Sequence, residues 1–215
     1  MAGDRGDLVI DYGKAKRTLA RRDPVLRDLI RQHGACGLAD AQHQDPFRAL
    51  VHAIIAQQLS TKAAATIERR VQALFNGHPP TAAGLAGIGD DQLRGAGVST
   101  QKLGYLRDLA RRVADGSLDL HRLQELPDDE VVAALTAVKG IGRWTAEMFL
   151  MFRLHRPDVL PVGDLGIVRA VQLAYGLRKP PTPERLMRLG EPWRPYRSVA
   201  CWYLWASLDN TNAKE

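Results

Sequence analysis

Leu135-Thr136-Ala137-Val138-Lys139-Gly140-Ile141-Gly142-Arg143-Trp144-Thr145-Ala146 holds the ends of two helices with almost nothing between them. Val131, Ala134, Leu135 and Val138 recur at the three-to-four-residue spacing of an apolar helix face, and a second helix is predicted from about Arg143 to Phe152. Only Lys139-Gly140-Ile141-Gly142 joins them. Gly140 and Gly142 can take positive φ, and without side chains they let a partner approach the backbone closely. The second helix begins at the hairpin, so its unbonded N–H groups and positive dipole end form an anion site. A nucleic-acid phosphate fits there, in a contact that carries no sequence information. The Gly-Ile-Gly-Arg-Trp-Thr run loosely echoes a dinucleotide fingerprint, but the third glycine is missing and a helix precedes it. A plain helical hairpin with a glycine cap is the structural alternative.

Helical periodicity continues on both sides. Asp45-Pro46 reads as an N-cap and first-turn proline, followed by the stripe Phe47, Leu50, Val51, Ile54 and Ile55. Gln57-Gln58-Leu59 interrupts it, and Ser60 caps a helix with the stripe Ala64, Ile67, Val71, Leu74 and Phe75. Ser99 starts another, with Leu103, Leu106, Ala110 and Val113 inward and Gly116 closing it. Its Lys102, Arg107, Arg111 and Arg112 read as a solvated face. Asp128, Asp129 and Glu130 place acids in the first turn of the helix before the hairpin. Downstream, a proline-bearing loop over 156–163 leads to Asp164 at the start of a further helix. Thr182-Pro183-Glu184 is one more helix start, and Tyr196, Val199, Ala200, Tyr203 and Leu204 stripe the last helix. Val159-Leu160 and Leu8-Val9-Ile10 are too short to build a sheet, so the fold class is all-α.

The 215 residues suit one large domain or two small lobes sharing a core, with the 45% hydrophobic and 25% charged content of a soluble globular protein. The formal net charge of +6 favours an anionic partner such as nucleic acid. Cys36 and Cys201 offer neither metal-ligand spacing nor a disulfide framework, which points to a reducing compartment. No apolar run is long enough to span a membrane, and the N-terminus has no apolar signal-peptide region, so the expected address is the cytoplasm. The six histidines show no paired ligand spacing, and no Gly-x-Ser-x-Gly elbow is present.

The hairpin followed by Pro161-Val162-Gly163-Asp164-Leu165-Gly166 resembles the helix–hairpin–helix DNA glycosylase superfamily, with its Gly/Pro-rich loop and trailing aspartate. Within it, the 3-methyladenine DNA glycosylase II branch is the best match. Ile54-Ile55-Ala56-Gln57-Gln58-Leu59-Ser60, the hairpin run, and Trp193-Arg194-Pro195-Tyr196-Arg197-Ser198 with Trp205 beyond it occur in the family's order, from about residue 45 to residue 207.

The resemblance implies an enzyme that flips an alkylated base out of double-stranded DNA and hydrolyses its glycosidic bond, leaving an abasic site. Asp164 would be the catalytic carboxylate, ionised by the helix dipole and able to stabilise an oxocarbenium-like sugar. Taken alone, it is better explained as only an N-cap, a role that can coexist with catalysis. Trp144 and Trp205 match pocket aromatics, whose π faces suit a cationic base, whereas Trp193 and Trp202 lean towards packing. Met148 stands where the family can place an aromatic wall, which would widen the pocket. Gly140, Ile141, Gly142, Arg143 and Thr145 would contact DNA, as would Ser60 beside a wedge that is either Gln58 or Leu59. Leu59 could instead complete the preceding helix's core stripe.

Bifunctional relatives carry a Schiff-base lysine immediately after the Gly-x-Gly-Arg stretch; Trp144 occupies that place here, so no lyase activity is expected. The four-cysteine iron–sulfur loop of other branches is absent, and no cofactor is expected beyond a sodium or potassium ion on the Val138 and Ile141 carbonyls. The expected architecture is two-lobed without the relative's N-terminal sheet domain. A helical barrel would span 46–163, and a second lobe would be built from 1–45 and 164–215, with Asp164, Trp144 and Trp205 in the cleft. A monomer acting on nucleoid DNA is expected. The alternatives are a non-catalytic damage-binding module using the same hairpin, or a glycosylase for deaminated or mismatched bases.

Overall fold

The computed structural model describes residues 10–40 and 45–209. Residues 1–9, with the N-terminal segment read above and most of the Leu8-Val9-Ile10 run, lie outside them. Contacts divide the chain into two units, 1–42 with 150–215, and 43–149. Helices α1 (Tyr12–Arg22) and α2 (Pro24–His33) open the first unit. Then follow α3 (Pro46–Ala56), α4 (Thr61–Ala73), α5 (Ala82–Gly87), α6 (Asp90–Gly95), α7 (Thr100–Ala114), α8 (Asp128–Thr136) and α9 (Arg143–Phe152), within which the division falls. Helices α10 (Leu165–Ala174), α11 (Pro183–Gly190) and α12 (Arg197–Asp209) complete the chain. No strand occurs among the described residues, so the all-α expectation is borne out.

The helices begin where their capping chemistry begins. Asp45 accepts from Arg48 N at 2.9 Å, Ser60 from Ala63 N at 3.3 Å, Ser99 from Lys102 N at 3.3 Å and Thr182 from Arg185 N at 3.3 Å. Each such cap satisfies an N–H that the helix itself leaves unbonded, and contributes about 1 kcal/mol.

In the 43–149 unit the core is built on α3 and α7. Leu50, Ile54 and Ile55 of α3 are buried, as are Leu103, Leu106, Leu109 and Ala110 of α7. Helix α7 packs on α3, α5 and α6. Truncating Ile54 to alanine removes about 2–5 kcal/mol through lost transfer energy and the cavity left behind. The other unit buries Leu19, Leu26, Trp193, Tyr203 and Leu204, with α12 packed on α2 and α10. Its buried carboxylate, Asp23, caps α2 and also accepts from Tyr175 Oη at 2.5 Å and Trp193 Nε1 at 2.9 Å. A buried carboxylate needs such partners to offset its desolvation. Burial, with the Asp23 hydrogen bond and charge adding to it, pushes the Tyr175 phenol far up.

Of the basic residues of α7, Arg111 is exposed as a solvated face would have it, while Lys102, Arg107 and Arg112 are half-buried against partners. Lys102 Nζ donates to Ile55 O and Gln57 O, both at 2.7 Å. Arg107 donates to Ile88 O and pairs with Asp90, while Arg111 and Arg112 pair with the buried Asp108. Lys102 and Arg107 reach partners outside their own helix, which periodicity alone does not reveal.

Candidate functional site

The hairpin is supported from below by α7. Gly140 has φ +80°, and a Cβ there would lie 2.1 Å from the Tyr105 ring, so both backbone conformation and packing require glycine. Gly142 differs from the expectation. Its φ is not positive, and a Cβ there would meet nothing within 4 Å. It is exposed, so nothing within the chain demands glycine there. Asp108 accepts the Lys139 N–H at 2.9 Å. Burial raises the Asp108 carboxyl, but hydrogen bonds from Lys139 N, Arg111 and Arg112 and the Arg112 charge outweigh it and hold the group well below the usual range.

Beyond the hairpin, Arg143 and Trp144 are exposed in the first turn of α9, Thr145 and Met148 are half-buried, and the Arg143 Nε pairs with the buried Glu147 at 2.9 Å. Trp144 and Met148 stand four residues apart on one face of α9. Val138 O accepts from Ile141 N at 3.1 Å, which uses one of its two lone pairs.

The interruption after α3 is a turn joined to the hairpin. Gln57 Nε2 donates to Gly140 O at 2.7 Å. Gln58 sits at φ +56°, unusual for a residue with a side chain. Gln58, Leu59 and Ser60 are exposed, Leu59 at 37%. Leu59 therefore does not complete the α3 core stripe, which ends at Ile55. Gln57, Lys102, Tyr105 and Asp108 escaped the sequence reading as members of this assembly. Their trace was there: positions 102, 105 and 108 fall three residues apart along one flank of α7.

In the other unit, Asp164 is buried at the head of α10. Its Oδ1 accepts from Ile167 N at 2.7 Å and from Trp205 Nε1 at 2.9 Å. Trp205 stacks on Phe152 with ring centroids 6.0 Å apart. Gly166 makes room for this pairing, since a Cβ there would lie 3.0 Å from Asp164 Oδ1 and 3.1 Å from the Trp205 ring. The loop leading to Asp164 is pinned by the start of α12. Ser198 Oγ accepts from Val159 N at 3.0 Å and donates to Arg156 O at 2.6 Å, while Arg197 and Arg194 pair with Asp158 at 2.7 Å. The segment over 193–198, singled out in the sequence, thus anchors the aspartate's loop. Trp193 is fully buried, as its packing role required.

Residues 51–195 match the HhH-GPD superfamily base excision DNA repair protein family, and the chain belongs to that superfamily. It is 34% identical over 205 residues to the DNA-3-methyladenine glycosylase 1 of Schizosaccharomyces pombe, covering 94% of this chain and 90% of that protein. The structure of a 3-methyladenine DNA glycosylase from S. pombe in complex with abasic DNA superposes with a TM-score of 0.78 at 30% identity, over 91% of this chain and 97% of that one. A DNA-3-methyladenine glycosidase from Bacillus halodurans gives a TM-score of 0.75 at 38% identity, over 90% and 92%. The superfamily and branch expected from the sequence are borne out.

Proposed function

We propose that this protein is a monofunctional DNA glycosylase that excises alkylated bases from duplex DNA, with Asp164 as its catalytic carboxylate. The observation that carries this reading is the buried Asp164 with Oδ1 held by Ile167 N–H and Trp205 Nε1–H, in a chain whose relatives bear 3-methyladenine glycosylase names. A carboxylate held so is oriented before reaction begins. As the bond from C1′ to the base nitrogen breaks, its electron pair leaves with the base, and the carboxylate stabilises the positive charge that builds on the sugar. Water then adds to C1′ and releases a proton. An N-alkylated purine already carries a positive charge, so it leaves without a general acid. The resemblance assigns Trp144, Trp205 and Met148 to the base, and tryptophan π faces suit such a cation.

Gly140, Gly142 and the first turn of α9 supply backbone N–H groups to a DNA phosphate, the Lys139 and Ile141 N–H groups being spent on Asp108 and Val138 O, and Gln58 or Leu59 enters the gap left by the flipped base. Carbonyl oxygens are the hard donors that a monovalent cation takes, and the second lone pair of Val138 O, with Ile141 O, would hold one at the hairpin. Trp144 in place of the lyase lysine supports simple hydrolysis.

The test is release of methylated purines from alkylated duplex DNA by the wild-type protein and by Asp164→Asn, with and without an abasic-site nicking step. Release by the wild type, its loss in the variant and strand breaks only after nicking are expected. Borohydride trapping of a covalent protein–DNA adduct would overturn the monofunctional assignment. Absence of release with DNA binding intact would overturn the alkylbase assignment.

A further inference from the structure

Helix α3 ends without the usual device. A helix leaves its last carbonyls unbonded, and a left-handed glycine commonly closes it. No glycine occurs over 55–60. Gln57 is extended at φ −50°, ψ 129°, Gln58 takes the left-handed conformation, and Leu59 N returns to Ala56 O at 3.1 Å. The carbonyls of Ile55 and Gln57 converge instead on one ammonium, Lys102 Nζ, at 2.7 Å each. An ammonium is a compact cation with three donors, suited to two converging carbonyls and to the negative end of a helix dipole.

Lys102 also stands one turn before Tyr105, whose ring packs under Gly140, and two turns before Asp108, which accepts the Lys139 N–H. Gln57 closes the loop by donating across to Gly140 O. One flank of α7 thus holds both the exposed turn and the exposed hairpin. We infer that Lys102 is the positioning residue of the 57–60 turn, and that Gln57 registers this turn against the hairpin, so that Gln58 and Leu59 are delivered to the duplex at a set distance from the phosphate held by the hairpin. This rests on the reading of Gln58 and Leu59 as the side chains that enter DNA. The proximity of Lys102 to two carbonyls comes with partial burial, which lowers its pKa without removing its role as a donor.

The experiment uses the full chain and a duplex carrying a tetrahydrofuran abasic-site analogue next to 2-aminopurine, whose fluorescence rises when the neighbouring stack is opened. Lys102→Met is expected to cut that rise at least about fivefold and single-turnover excision of 7-methylguanine by about tenfold, with affinity for undamaged duplex within about threefold. Lys102→Arg, which keeps the charge and donors, is expected to restore at least half of the fluorescence rise. Fluorescence within about twofold of wild type in Lys102→Met overturns the inference, as does an equal loss of affinity for undamaged duplex. Should Lys102→Met not fold, Gln57→Met takes its place with the same expectations and the same overturning results. A wild type that raises the fluorescence but excises no alkylated base leaves the inference standing and sinks the alkylbase reading. A wild type that excises but never raises the fluorescence does the reverse.

Discussion

The indole N–H of Trp205 donates to Oδ1 of Asp164 at 2.9 Å, the same oxygen that accepts the Ile167 N–H at 2.7 Å to cap α10. One carboxylate oxygen therefore serves a helix cap and an aromatic side chain from 41 residues away. This gives Asp164 a structural task and a chemical one, and the two separate experimentally.

Asparagine caps helices about as well as aspartate and can still accept both hydrogen bonds through its amide oxygen. Asp164→Asn is expected to change stability by less than about 0.5 kcal/mol in denaturant titrations. Excision of methylated purines should fall at least about 100-fold, since the amide supplies no charge to the sugar. A parallel loss of stability and excision would reduce Asp164 to a cap.

Trp205→Phe keeps an aromatic ring to stack on Phe152 but removes the donor. A hydrogen bond to a charged group contributes about 1.5–3 kcal/mol, so single-turnover excision should drop about 10- to 100-fold. Binding to abasic-analogue duplex, measured by anisotropy, should be nearly unchanged.

The two hairpin glycines should respond differently. Gly140→Ala combines a φ of +80° with a clash against Tyr105, and should destabilise the fold by about 2–4 kcal/mol. The double substitution with Tyr105→Ala removes the clash but not the backbone strain. Gly142→Ala meets open space and should leave stability within about 0.5 kcal/mol while weakening DNA binding. Chemical denaturation and anisotropy on undamaged duplex distinguish these outcomes.

Asp108 gives the fold an acid sensitivity. Its folded-state pKa is depressed, so its contribution is present above the unfolded value of about 3.9 and is lost as pH falls from there towards the folded value. Urea titrations of the wild type should show stability falling below about pH 4, and Asp108→Asn should flatten that slope. At neutral pH the same variant should lose about 2 kcal/mol, because Arg111, Arg112 and the Lys139 N–H all lose the charge of their shared partner.

The fold was legible wherever its causes are local. Asp45, Ser60, Ser99 and Thr182 cap the helices that follow them because a cap acts within three residues of itself. The apolar stripes of α3 and α7 are buried because a helix presents every third and fourth residue to one side. The site was legible in outline: the hairpin, the turn after α3 and the helix-capping aspartate. Lys102 was misread as part of a solvated face, since a lysine's flexible stem reveals nothing in sequence about which carbonyls its head will reach.

By itself, the sequence determined an all-α chain with an exposed glycine hairpin and an aspartate at the head of a helix, because periodicity, capping and turn chemistry operate over one or two helical turns. Tertiary structure alone decided that Gly140 rather than Gly142 takes the left-handed conformation, that Lys102 closes α3 from 45 and 47 residues away, and that Trp205 steadies Asp164. Those pairings arise when packing brings distant donors and acceptors to within 3 Å and burial obliges each polar group to find a partner.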